Sequence, residues 1–249
     1  MTFSAPAPRV LLLHRAAPWR LLLPLPPDRR PARLALLIAG LALYGVSMGL
    51  MLRAGLGQMP WGVLDQGVAE TVGIQVGTAT IVLGALVLLL WIPLRQRPGV
   101  GTLSNVVLVG LSINATLAVV PAAHTLAVKV PLLVAGVLLN AVATGAYIGA
   151  GLGPGPRDGL STGLAARGHS LRLVRTTIEV GVLAVGWLLG GTVGIGTVLY
   201  ALAIGPLTHR TIPALRLGGA PRVRRSWLAD TRDPAYSAGR LLRPPTARS

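Results

Sequence analysis

Apolar residues run almost unbroken through six stretches of the chain, at about 33–52, 74–94, 101–121, 130–150, 172–190 and 195–213. Each is close to the roughly 20 residues that a helix needs to cross the hydrocarbon of a bilayer. Runs such as Ile81 to Trp91 are continuously apolar, whereas the strands of a membrane barrel alternate with period two. The pattern therefore predicts six transmembrane helices in an all-α membrane protein. Small residues recur four apart inside them, Gly45 with Gly49, Gly145 with Gly149 and Gly186 with Gly190, a spacing that lets helix backbones approach closely in lipid.

Two polar interruptions break the pattern, at residues 57–71 and 153–168. Both are opened by Gly and Pro and are too short and polar to cross. They are expected to be half-helices or re-entrant segments, because irregular backbone at membrane depth is tolerated only where it is buried in protein or lines a watery cavity.

The interruptions belong to an internal repeat. Residues 40–69 match residues 136–165 at 12 of 30 positions, including Ala54-Gly55-Leu56-Gly57 with Ala150-Gly151-Leu152-Gly153 and Pro60 with Pro156. After a one-residue slip, Gly99, Gly101, Thr102 and Gly110 meet Gly194, Gly196, Thr197 and Gly205. Each unit holds three spans, an odd number, so the second enters the bilayer from the opposite side: an inverted repeat. The predicted organisation is a basic tail over 1–32, a first three-span repeat over 33–121, a second over 122–213, and an Arg- and Pro-rich tail over 214–249. Paired interrupted segments of this kind point to a central binding site, whose backbone would be Gly55, Gly57 and Pro60 with Gly151, Gly153, Gly155 and Pro156.

Composition agrees with the pattern. Of the 249 residues, 52% are hydrophobic and 12% charged, against roughly 25% charged in ordinary soluble domains. The formal charge of +16 would suggest nucleic acid in a soluble protein, but Lys and Arg gather in the two ends and in a few loops. Anionic lipid headgroups are the expected partner of both tails, and no nucleic acid is expected. With a cytoplasmic amino terminus, Arg95, Arg97, Arg157, Arg167, Arg172 and Arg175 join the tails on the inner side, leaving only Arg53 and Lys129 outside. By the positive-inside rule this predicts a bacterial inner-membrane protein with both termini cytoplasmic. Residues 1–32 are expected to be disordered or surface-lying; an overlong start site is an alternative.

Few residues can carry chemistry. Asp158, beside Arg157 at the head of the second short segment, is either a helix cap with a lipid-contacting arginine or a ligand or proton site. Glu179, an acid within a predicted span, lies one turn from Arg175, so a structural ion pair competes with a proton or cation site. Asp65 and Glu70, with Gln66 between them, would form an acidic face at a cavity mouth or a merely solvated one. Asn114 and Asn140 suit interhelical hydrogen bonds or substrate contact. Arg53 would anchor a span end or attract an anion there, and Trp61, Trp91 and Trp187 would sit in interfacial belts. No cysteine is present, and His14, His124, His169 and His209 are not paired at ligand spacing, so neither a metal site nor any cofactor is expected. The Gly-rich run from Gly149 to Gly159 lacks the Lys-Ser/Thr ending of a phosphate loop. No nucleophile–base pair is visible, and an enzyme is not expected.

Two motifs carry a family resemblance: Arg53 to Trp61, reading Arg-Ala-Gly-Leu-Gly-x-x-Pro-Trp, and Gly151 to Gly159, reading Gly-Leu-Gly-Pro-Gly-Pro-Arg-Asp-Gly. Over about 33–212 the chain resembles the YczE/YyaS/YitT group of bacterial integral membrane proteins. The resemblance implies topology and no assigned activity. Where members of that group carry Asp after Pro-Trp this chain has Gly62, so a symmetric pair of acids is not implied here. The leading functional expectation is a small secondary transporter or permease-like protein for an unknown small molecule or ion. The alternative is a non-transporting scaffold or regulator. A homodimer would suit the small six-span size and the glycine faces.

Overall fold

The structure of the chain, a computed structural model, describes Pro26 and residues 28–217. Eight helices follow in order: α1 (Arg30–Ala54), α2 (Pro60–Val72), α3 (Val76–Leu94), α4 (Val100–Val119), α5 (Leu126–Gly149), α6 (Pro156–Ala165), α7 (Leu171–Leu188) and α8 (Ile195–Ala214). There is no strand among the described residues. The order long, short, long, long occurs twice, and the short α2 and α6 fill the two polar interruptions. Almost all of both expected tails lies outside the described residues.

Four helices, α1, α3, α4 and α5, are long and apolar enough to cross a membrane. α7 falls short because Arg172, Arg175 and Glu179 interrupt its 18 residues, and α8 carries His209 and Arg210 with Pro206 in its second half. Large apolar side chains face outward throughout, among them Ile92, Leu188 and Leu202, as lipid-facing surfaces require and water-facing ones do not.

α1 and α5 cross antiparallel at the centre. Gly40 backs onto Ala143, Ala146 and Tyr147, while Gly136 backs onto Ser47 and Met51. α4 flanks α1 and α8 flanks α5; α2 packs on α7, and α3 on α6. The core between them holds Leu37, Leu41, Met48, Met51, Ile113 and Val137. One departure from pairwise correspondence stands out: α3 packs along α4, whereas α7 and α8 make little contact. The glycine faces are filled from within the chain, Gly45 by Val109 and Ser112, Gly49 by Thr116, Gly145 by Thr211 and Gly186 by Leu64. They are therefore not free surfaces for a second copy.

Two reciprocal clasps join the halves. The Gly196 amide donates to the Leu56 carbonyl at 2.8 Å, and the Gly101 amide to the Leu152 carbonyl at 2.9 Å. In each clasp a threonine hydroxyl oxygen, Thr197 or Thr102, accepts the amide of the glycine that starts its own helix, Gly194 or Gly99. The turns need glycine. Gly57 has φ 118° and Gly153 φ 128°, and an added Cβ would lie 2.7 Å from Thr197 Oγ1 in one and 2.9 Å from Thr102 Oγ1 in the other.

α1 begins at Arg30, ahead of its apolar run, with Pro31 accommodated in the first turn, where an amide donor is not needed. Arg33 is not a headgroup contact: it is fully buried, donating to the Ala150 carbonyl at 2.8 Å and to the Asp28 carboxylate at 2.7 Å. That hydrogen bond holds the Asp28 carboxyl below the usual carboxylate range. Its contribution is present above the unfolded-state pKa and lost as pH falls through the lowered folded value. Asp28→Asn should therefore lower stability at neutral pH and flatten its decline in acid, as thermal melts across pH will show.

Gly57→Ala and Gly153→Ala should each cost on the order of 1–3 kcal/mol through positive φ and crowding. Gly181→Ala, where nothing lies within 4 Å of the added carbon, should be neutral or mildly stabilising; melting temperatures in detergent compare the three.

Candidate functional site

The clasps bring the amino ends of α2 and α6 to one place, and a cavity of about 450 Å³ lies between them. All eight helices contribute to its wall. Pro60 and Pro156 open the two short helices without side-chain caps. Each removes one amide that would otherwise need an acceptor.

At the junction, Arg157 of α6 reaches α2. Its Nη2 donates to Asp65 Oδ2 at 2.7 Å, and its guanidinium lies 4.9 Å from the centre of the Trp61 ring. Asp65 is fully buried; its Oδ2 also accepts from the Thr80 hydroxyl at 3.0 Å, while Oδ1 has no hydrogen-bond partner among the described residues. Trp61 and Arg157, 96 residues apart like the other matched positions of the sequence, meet here.

Three expectations are corrected here. Arg157 does not contact lipid; it points inward to Asp65. Asp65 and Glu70 share no acidic face: they are five residues apart on a helix that turns about 100° per residue, so Asp65 is buried while exposed Glu70 accepts from Gln66 at 2.9 Å. Trp61 and Trp91 do not belong to an interfacial belt. Trp61 lines the cavity, and Trp91, 2% exposed, donates from Nε1 to the Pro156 carbonyl at 3.0 Å. Trp187 is exposed on the outer surface.

Asp158 is no helix cap; Gly155 holds that position. The Asp158 carboxylate lines the cavity, accepting at Oδ2 from the Tyr147 hydroxyl at 3.1 Å. Arg175 and Glu179 also line it and pair at 2.9 Å on the polar side of α7. Asn140 and Asn114 lie away from it and join helices. Asn140 donates to the Ser47 hydroxyl at 2.8 Å and accepts from the Tyr200 hydroxyl at 3.0 Å. Asn114 accepts the Gly77 amide at 2.8 Å. Arg53 donates to the Leu117 carbonyl, tying the end of α1 to α4. The backbone glycines do not converge on the cavity as a set. Gly155 and Pro156 line it together with Pro60, while Gly57 and Gly153 form the clasps behind it.

Sequence reading missed Tyr44, Tyr147, Tyr200 and Asn105, which all line the cavity. Tyr44 and Tyr147 meet edge to face, centroids 5.9 Å apart. The available signal was scarcity: the few aromatic residues inside otherwise aliphatic spans mark a surface that is not lipid. No group of metal-ligating residues occurs among the described residues.

Opening the Asp65–Arg157 pair from either side should cost about 3–5 kcal/mol, because a charge is left buried without its partner. The double variant Asp65→Leu, Arg157→Met should cost less than the sum of the single changes, a coupling that a double-mutant cycle of thermal stability measures directly.

Residues 31–213 match a family described as a family of unknown function, DUF6198. The chain is 38% identical over 177 residues to an uncharacterized protein of Haemophilus influenzae, covering 71% of this chain and 81% of that one. It is 33% identical over 172 residues to the uncharacterized membrane protein YczE of Bacillus subtilis, covering 68% and 80%. No solved structure matches it.

Proposed function

The chain belongs to the DUF6198 family and is YczE-like, and for this membrane protein we propose the role of a small permease that binds its substrate between α2 and α6. The observation that carries the reading is the cavity itself. Two short, uncapped helices from corresponding places in the chain meet there, in a space of about 450 Å³ that suits a small molecule. In this reading α7 and α8 are also spans, giving six. α7 tolerates its charges because Arg175 and Glu179 face the cavity and each other.

The two halves are inverted copies. The antiparallel crossing of α1 with α5 and the reciprocal clasps support this, since both follow from a pseudo-twofold axis in the membrane plane. Rocking of one half against the other would expose the cavity to each side in turn. The charge pattern of the loops supports an inner-membrane location with both termini cytoplasmic, and the basic tails would then lie against anionic headgroups.

The absence of cysteine makes the test direct. Thr144→Cys and Thr208→Cys, both at the cavity wall, should react with a membrane-impermeant thiol reagent from either face of sealed vesicles. Labelling confined to one face at both positions would contradict alternating access and favour a scaffold that holds partners on one side.

A further inference from the structure

The charges around the cavity do not balance. Arg157 is paired with Asp65 and stacked on Trp61, and Arg175 is paired with Glu179. Asp158 also faces the cavity but has no ion-pair partner among the described residues; its one side-chain contact is the neutral Tyr147 hydroxyl. The set therefore carries one carboxylate in excess. The amino ends of α2 and α6 each offset part of that charge, up to about half an elementary charge apiece, but neither supplies a side-chain cation to pair with Asp158.

The walls agree with the sign. Of six aromatic residues among those described, Trp61, Tyr44, Tyr147 and Tyr200 line the cavity. The face of Trp61 is occupied by Arg157, which leaves three tyrosines on the cavity wall, of which Tyr147 contacts Asp158. Aromatic rings carry negative faces that attract cations, and the attraction strengthens where water is excluded. An inorganic ion would call for a close shell of oxygens and a smaller space. A cavity of about 450 Å³ with mixed aromatic and carboxylate walls suits a larger, weakly hydrated cation.

We propose that this cavity binds a small monovalent organic cation, an amine or quaternary ammonium, with its charge held by Asp158 and its alkyl groups against Tyr44, Tyr147 and Tyr200. The assignment rests on the permease reading for its biological use, but binding stands or falls independently of transport.

The test uses the full chain in detergent, titrated by thermal shift and calorimetry with choline. The comparisons are its neutral isostere 3,3-dimethylbutan-1-ol and, at matched ionic strength, sodium chloride and sodium phosphate. Choline should stabilise saturably, the neutral isostere about tenfold or more less effectively, and neither salt should substitute. Asp158→Asn should weaken choline binding about tenfold or more, and Asp158→Glu should restore part of it; Glu70→Gln, outside the cavity, should change nothing. Equal binding of choline and its neutral isostere would overturn the proposal in the parent chain alone, whether or not any variant folds. So would undiminished choline binding by Asp158→Asn, no saturable response to choline, or stabilisation by phosphate in its place, the last meaning that the amino ends of α2 and α6 set the sign. Choline binding combined with one-sided cysteine labelling would keep the site and sink the permease reading; two-sided labelling without choline binding would do the reverse.

Discussion

The reciprocal hydrogen bonds from Gly196 to Leu56 and from Gly101 to Leu152 are the constraint from which the remainder of the architecture follows. Each one fixes the turn after a long helix of one half against the start of a long helix in the other. With those turns fixed, α2 and α6 must begin at the centre of the protein and point their first residues at each other. The turns admit no side chain at Gly57 and Gly153, and this is the physical reason that the same Ala-Gly-Leu-Gly string stands in both halves. A buried junction of two polar helix ends then needs internal partners, since lipid offers none. Asp65, Arg157, Trp61 and Thr80 are those partners.

The cavity exists because the two halves are similar without being equal. At equivalent positions stand Trp61 and Arg157, and Gly62 and Asp158. Trp61 and Arg157 stack, which uses the asymmetry to close the junction. Gly62 and Asp158 leave a carboxylate on one side and nothing on the other, which uses it to open a site. A similar difference separates α3 from α7. The first carries no charged residue and packs along α4. The second carries Arg175 and Glu179 and stands off from α8, so the wall between them is a gap where the other half has a packed seam.

The helices were legible in the sequence because an unbroken apolar run of about 20 residues suits a bilayer and little else, and the short segments because Gly and Pro at matched places break length and apolarity at once. The inward aim of Arg157 was not legible. An arginine after Gly-Pro at a span end fits a headgroup as well as a buried partner, and the partner, Asp65, is 92 residues away. Asp65 itself resembles a surface acid because nothing local distinguishes the buried face of a short helix. The helical angle between Asp65 and Glu70 was the available clue that both could not serve one face. The tyrosines escape notice for the opposite reason: each is a single residue in a long apolar run, and only the fold collects them. Arg33, at the edge of a basic tail, looks like its neighbours in the sequence, whereas burial and the Ala150 carbonyl set it apart.

The central claim is that the two interrupted segments meet around a cavity, joined there by Arg157. An experimental structure in a lipid nanodisc, with a rigid fusion to add mass, tests it most directly. The account predicts α2 and α6 amino end to amino end, with Arg157 between Asp65 and the Trp61 ring and Asp158 facing open space. Arg157 directed to the headgroups, or a packed helix separating the two segments, would contradict it.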